Sequence, residues 1–150
     1  MPPKNIDNLY DEIILDHCRK PRNGIILNKV DIESTAVNPF CGDEVQFQFE
    51  LMNSDHISNI FLNAIGCSIN KASASILSEA IKGKSLKEVA QISKKFRMVM
   101  TSDDHSNNHQ LDGDLKVLLS VKEFPIRIKC ALLSCNAIDS ALKNNFSTEN

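Results

Sequence analysis

Between Glu44 and Leu51 the chain alternates without interruption: Val45, Phe47, Phe49 and Leu51 are apolar, and Glu44, Gln46, Gln48 and Glu50 are polar. A period of two fits a strand with one buried and one wet face, the pattern of an antiparallel sheet. Met52-Asn53-Ser54-Asp55 makes the turn, and His56–Ala64 returns as a strand. A further strand, with weaker alternation, is expected around Ile25–Ile32. Elsewhere the spacing is helical. Ile6, Leu9, Tyr10, Ile13, Ile14 and His17 predict a helix from Ile6 to Lys20, stopped by Pro21 and followed by the turn Pro21-Arg22-Asn23-Gly24. A second helix spans Ser68 to about Lys82, with Ile69, Ile76, Leu77, Ala80 and Ile81 as its stripe. Its small residues Ala72, Ser73, Ala74 and Ser75 are expected to bring it close to the sheet. Gly83 ends it.

Ser85, with Glu88 three residues on, is a capping box for a helix to about Met100. Thr101–Gly113 reads as a polar loop and Asp114–Val121 as a short helix. Pro125 introduces the last element, Cys130–Lys143, with Ala131, Cys135, Ile138 and Leu142 on one face. The fold class is α+β: a three-stranded antiparallel sheet packed against about five helices.

A chain of 150 residues fits one domain, 1–150, able to bury roughly two-thirds of its unfolded surface. Seventeen basic and nineteen acidic residues are mixed along it for a net charge of −2, so no nucleic acid is expected as the main ligand. No stretch approaches the ~20 apolar residues of a membrane span, and the start has no apolar signal core; the chain reads as cytoplasmic, with no membrane partner. Five cysteines in a reducing compartment argue against a disulfide framework.

Three of those cysteines sit at element ends. Cys41 lies in the turn Asn38-Pro39-Phe40-Cys41-Gly42-Asp43, Cys67 follows Gly66 at a strand-to-helix junction, and Cys130 is expected to open a helix. Helix N-termini favour the thiolate, the nucleophilic and metal-binding form of cysteine. Gly42 leaves the backbone beside Cys41 open, and Asp43 adds a hard oxygen donor. A Cys3Asp set suits tetrahedral zinc and also an iron–sulfur cluster. Spacing alone does not choose between these readings and three buried structural thiols, since free cysteine is among the most buried residue types.

Four stretches carry a more specific signal: Leu9-Tyr10-Asp11-Glu12-Ile13-Ile14-Leu15-Asp16-His17 with Pro21-Arg22-Asn23; Asn38-Pro39-Phe40-Cys41-Gly42-Asp43; Gly66-Cys67-Ser68-Ile69 with Ala72-Ser73-Ala74-Ser75; and Pro125-Ile126-Arg127-Ile128-Lys129-Cys130-Ala131. In that order, from about residue 6 to 143, the chain resembles the IscU/SufU-type iron–sulfur cluster assembly proteins, the family that also forms the NifU N-terminal domain. The resemblance is closest to the SufU branch. Lys129 stands where the scaffold branch has His, Glu123-Phe124-Pro125-Ile126-Arg127-Ile128 lacks that branch's chaperone-recognition motif, and 62 residues separate Cys67 from Cys130, as a SufU-type insertion would give.

The resemblance implies a fold with its metal site at one end, and zinc held by Cys41, Asp43, Cys67 and Cys130. It implies that Cys41 accepts persulfide sulfur from a PLP-dependent cysteine desulfurase, with a downstream scaffold or apo iron–sulfur proteins as later partners. The alternative is a scaffold carrying a [2Fe–2S] cluster or iron on the same residues. A third reading is a zinc module that docks to its partner without carrying sulfur. Cys41 would turn over only against a partner protein, so the chain is a sulfurtransferase-like partner rather than a stand-alone enzyme. Arg127 and Lys129 are expected to stabilise thiolate or persulfide charge. Cys18 and Cys135, where the family has aromatic residues, read as core filler. His105 and His109 read as solvated loop residues, and His17 as orienting the helix-to-turn junction rather than binding metal.

Overall fold

The computed structural model describes residues 12–103, 111 and 113–148. Three strands, β1 (Ile32–Val37), β2 (Glu44–Met52) and β3 (His56–Ile65), form an antiparallel sheet in the order β1-β2-β3. The alternation that predicts β2 sets its faces: Val45, Phe47 and Phe49 are fully buried. Phe47 pairs with Ser34 on one side and Leu62 on the other. The opposite face carries polar pairs: Gln48 bonds Glu33, and Asn59 Nδ2 donates to Glu50 Oε1 at 2.7 Å.

The strand expected over Ile25–Ile32 is displaced: β1 begins where that segment ends. Ile25 and Ile26 are 83% and 81% exposed, and this stretch instead follows Asn23, whose carbonyl accepts the Leu62 N–H of β3 at 2.7 Å. The inward positions of β1 are Ile32, Ser34 and Ala36. Only the first is large and apolar, because the last helix packs close: Ser34 Oγ donates to the Ala137 carbonyl at 2.5 Å.

The helical layer covers the inward face. Helix α1 is described over Glu12–Arg19, and the expected Ile6–Asp11 part lies outside the described residues. Helix α2 (Ser68–Ile81) and helix α3 (Leu86–Thr101) follow, the latter entered through the expected capping box of Ser85 and Glu88. A 3-10 helix (Gly113–Glu123) precedes helix α4 (Pro125–Thr148). These five helical elements and the sheet give the expected α+β class.

The small residues of α2 serve its helical neighbours as well as the sheet. Ser73 Oγ donates to the Ala131 carbonyl of α4 at 2.6 Å, and Ser75 Oγ bonds His17 Nδ1 of α1 at 2.8 Å. Ser75 also accepts the Arg22 N–H at 2.9 Å, so His17 does orient the helix-to-turn junction. Helix α4 starts at Pro125, five residues before the expected start, because proline's fixed φ suits the first helical position. Cys130 therefore lies in the second turn of α4 and does not open it. His105 and His109 fall outside the described residues. No helix among the described residues is long and apolar enough to cross a membrane.

Phe47, fully buried at the centre of the sheet, sets the scale of the core. Phe47→Ala is expected to cost about 3–5 kcal/mol in urea unfolding. A loss below about 1 kcal/mol would show that the helical layer does not rest on this ring.

Candidate metal centre

Antiparallel pairing of β2 with β3 places Glu44 opposite Ile65, so the turn before β2 and the junction after β3 meet at one end of the sheet. The turn is built by Asn38. Its Oδ1 accepts the Phe40 N–H at 3.0 Å, its carbonyl accepts the Gly42 N–H at 2.9 Å, and its N–H donates to the Asp43 carbonyl at 2.8 Å. Gly42 turns the chain at φ 77°, a conformation glycine adopts without strain. Cys41 is left exposed at the rim, and Asp43 is carried inward until it is 2% exposed.

Across the gap, Cys67 caps α2, and its Sγ accepts the Asn70 N–H at 3.4 Å. Its own N–H donates to Asp43 Oδ1 at 3.0 Å, and its thiol lies 3.7 Å from Oδ2. Gly66 makes this approach possible: a Cβ there would lie 2.0 Å from Asp43 Oδ1, and φ is +128°. The role of Gly66 was not legible as chemistry in the sequence. Its only signal was a glycine immediately before a helix-capping cysteine.

Cys130 reaches the same point from α4. One donor atom from each of Cys41, Asp43 and Cys130 lies within 4.8 Å of the others. Cys67 is not in that tight triplet; its thiol contacts Asp43, and it stands near enough to Cys130 to raise that thiol's pKa. Burial, then the Cys67 and Asp43 groups beside it, pushes the Cys130 thiol up to about 12. The sequence expectation that a helix N-terminus favours its thiolate is thereby corrected: in the second turn, desolvation wins.

Among the described residues the Asp43 carboxylate forms no ion pair within 4.0 Å; its contacts are the Cys67 N–H and the thiols. Buried carboxylates are retained when they are paired or coordinate a metal. A buried carboxylate facing three thiols is a donor set that fits a thiophilic divalent ion such as zinc.

All four donors line one cleft of about 630 Å³, together with Gly66, Phe124 and Arg127. Lys129 is exposed and does not line it. Cys18 packs partly buried against the core. Cys135 is fully buried, its thiol pushed up to about 12 by desolvation. Both are core filler, as expected.

The NifU-like N terminal domain family matches residues 9–144. The chain belongs to that family. This NifU-like domain is 38% identical over 138 residues to the zinc-dependent sulfurtransferase SufU of Bacillus subtilis, covering 92% of each chain. It is 29% identical over 149 residues to the iron–sulfur cluster assembly scaffold protein IscU of Streptococcus pyogenes, covering 99% of this chain and 92% of that one. The crystal structure of FiSufU from Fervidobacterium islandicum superposes with a TM-score of 0.79 at 28% identity, covering 91% of this chain and 98% of that one. The NifU-like N-terminal protein of Brucella abortus shares the fold at TM-score 0.81, covering 96% and 99%.

Two expectations follow for this NifU-like domain. Gly66→Ala drives a methyl into the Asp43 carboxylate. It should lose about 1–3 kcal/mol of stability in denaturant unfolding from the backbone conformation alone; unchanged stability would show that neither this conformation nor the carboxylate constrains the position. In metal-free protein at neutral pH, Cys41 should alkylate roughly tenfold or more faster than Cys130. Cys130 labelling should rise toward pH 12, mapped by mass spectrometry, and the metal-free fold should weaken as pH climbs from 9.0, where an unperturbed thiol ionises, to about 12. Equal labelling rates at neutral pH contradict this ordering.

Proposed function

We propose that this chain is an iron–sulfur cluster assembly protein that accepts persulfide sulfur on Cys41 from a PLP-dependent cysteine desulfurase, with zinc held by Cys41, Asp43, Cys67 and Cys130. The carrying observation is an asymmetry among the four donors. Asp43 and Cys130 are buried and Cys67 is half-buried, while Cys41 alone is exposed, on a turn beside the 96% exposed Phe40. A thiol that must meet a partner protein's sulfur needs that position. The similarity to a zinc-dependent sulfurtransferase supports the same reading.

Zinc, when bound, would keep the donor thiols deprotonated at neutral pH and protect them from oxidation. The remaining chemistry belongs to the chain. The Cys41 thiolate attacks the terminal sulfur of the partner's persulfide and a new S–S bond forms at Cys41 Sγ. The partner's S–S bond breaks, and its electron pair leaves on the partner's cysteine as thiolate. Arg127, in the wall of the cleft, is the cation suited to the developing charge. Lys129 faces outward and is less suited to this than the sequence suggested.

Residues 1–150 act as one domain in this reading, supported by a core cluster that spans sheet and helices among the described residues. The site of action is the cytoplasm, and the sulfur passes on to a scaffold or to apo iron–sulfur proteins. The similarity to IscU scaffolds favours a second reading, in which a [2Fe–2S] cluster is cargo on the same donors. Colour separates the two. Anaerobically purified protein should be colourless with about one zinc per chain; a brown chromophore with acid-labile sulfide means the scaffold reading instead. Cys41→Ser should reduce persulfide loaded from a desulfurase by roughly tenfold or more, whereas Cys18→Ser should not. Undiminished loading on Cys41→Ser overturns Cys41 as acceptor. Desulfurase stimulation that survives while loading is lost indicates a docking module.

A further inference from the structure

Asn70 lies in the first turn of α2 and is fully buried; the other buried polar residues of this helix are serines. Its Nδ2 donates to the Ile65 carbonyl at 3.0 Å and to the Glu44 carbonyl at 3.4 Å. Its backbone N–H faces Cys67 Sγ at 3.4 Å. Glu44 directly follows Asp43, and Ile65 directly precedes Gly66-Cys67. These two residues are also the end pair of the β2–β3 ladder. One amide group therefore bonds the end carbonyls of the two strands that adjoin Asp43 and Cys67.

The same amide leaves its Oδ1 buried and without a hydrogen-bond partner among the described residues. A rotated amide would set that oxygen against two carbonyl oxygens, so the acceptor-only surroundings select the orientation seen. An orphaned buried acceptor lowers stability, and an alanine here would avoid it at no cost to the helix. The two donors of Asn70 are what such an exchange would give up.

We infer that Asn70 is a positioning residue for the metal centre, its amide clipping the β2 and β3 arms together so that Asp43 and Cys67 are presented to one ion. It touches no substrate and would act only through those two donors. The inference rests on the proposed zinc-binding reading and adds to it a determinant outside the four donors. Groups that orient metal ligands in this way typically change affinity by about 10–100-fold when removed.

The test is zinc affinity of the full chain by competition with a chromogenic chelator, read beside the thiolate-to-cobalt charge-transfer bands of the Co2+ form. Ser34→Ala serves as the control: it removes a buried hydrogen bond to Ala137 elsewhere on the sheet. Asn70→Ala should weaken zinc binding by about tenfold or more and alter the cobalt bands. Ser34→Ala should lower Tm while leaving both unchanged. Asn70→Asp keeps the shape but loses both donors, and decides the question should the alanine variant not fold. Zinc bound within about twofold of the parent affinity by the Asn70 variant overturns the clip. A parent chain that binds neither Zn2+ nor Co2+ overturns the zinc reading itself, a distinguishable failure.

Discussion

The buried carboxylate of Asp43 is the constraint on which the functional end of this molecule depends. Its Oδ1 takes the N–H of Cys67 at 3.0 Å, a bond between the turn before β2 and the junction after β3. The bond exists because Gly66 has no side chain: the space its Cβ would need is occupied by the carboxylate oxygen. The carboxylate is buried with thiols and one amide for company, and among the described residues it forms no ion pair within 4.0 Å. Charge buried in that way is stable only with a compensating partner. A cation at the centre of the donor set supplies one, and the metal-binding reading grows from this electrostatic demand as much as from the thiols.

Burial then assigns different tasks to chemically identical groups. Cys130 and Cys135 are both pushed up to about 12, chiefly by desolvation, yet their surroundings differ. Cys135 faces the Ser93 carbonyl on an apolar stripe, and among the described residues it belongs to no group of donors able to hold a metal. Cys130 faces Asp43 and Cys67, groups that raise its pKa further and would equally share a metal with it. A raised pKa marks burial, and only the company of other donors makes a ligand. Cys41 completes the set from the exposed side, so one rigid site contains three sheltered donors and one presented thiol.

That division suits sulfur transfer. The acceptor must meet a sulfur carried by another protein, so it has to be reachable. The other donors must hold their geometry while it reacts, so they belong on elements locked by packing. The β2–β3 ladder, the α2 cap and α4 supply that rigidity, with hydrogen bonds from Ser73 to α4 and from Ser34 to the same helix fixing their mutual depth. A cluster carried as cargo would use the same donors, and the chain is similar both to a protein named for sulfur transfer and to one named for scaffolding.

The strand β2, the capping box of α3 and the α+β class were legible because each rests on local spacing: a period of two, or a serine three residues from a glutamate. The set Cys41, Asp43, Cys67 and Cys130 was legible as a family pattern. Strand β1 was misplaced because its inward face is Ile32, Ser34 and Ala36, where close packing of α4 selects small side chains and erases the hydrophobic signal. The start of α4 was misplaced because Pro125 reads equally as a break before a helix and as its first residue, and that choice decided whether Cys130 sat at a helix end or inside it. Gly66 was legible only as part of a motif, without its role, and Asn70 not at all. Their importance comes from atoms 23 and 26 residues away in sequence, Asp43 and Glu44. Local periodicity is written in neighbouring residues and determines the elements; who shares a donor cluster, which thiol is exposed and what a missing side chain makes room for depend on long-range packing, and only the tertiary structure decides them.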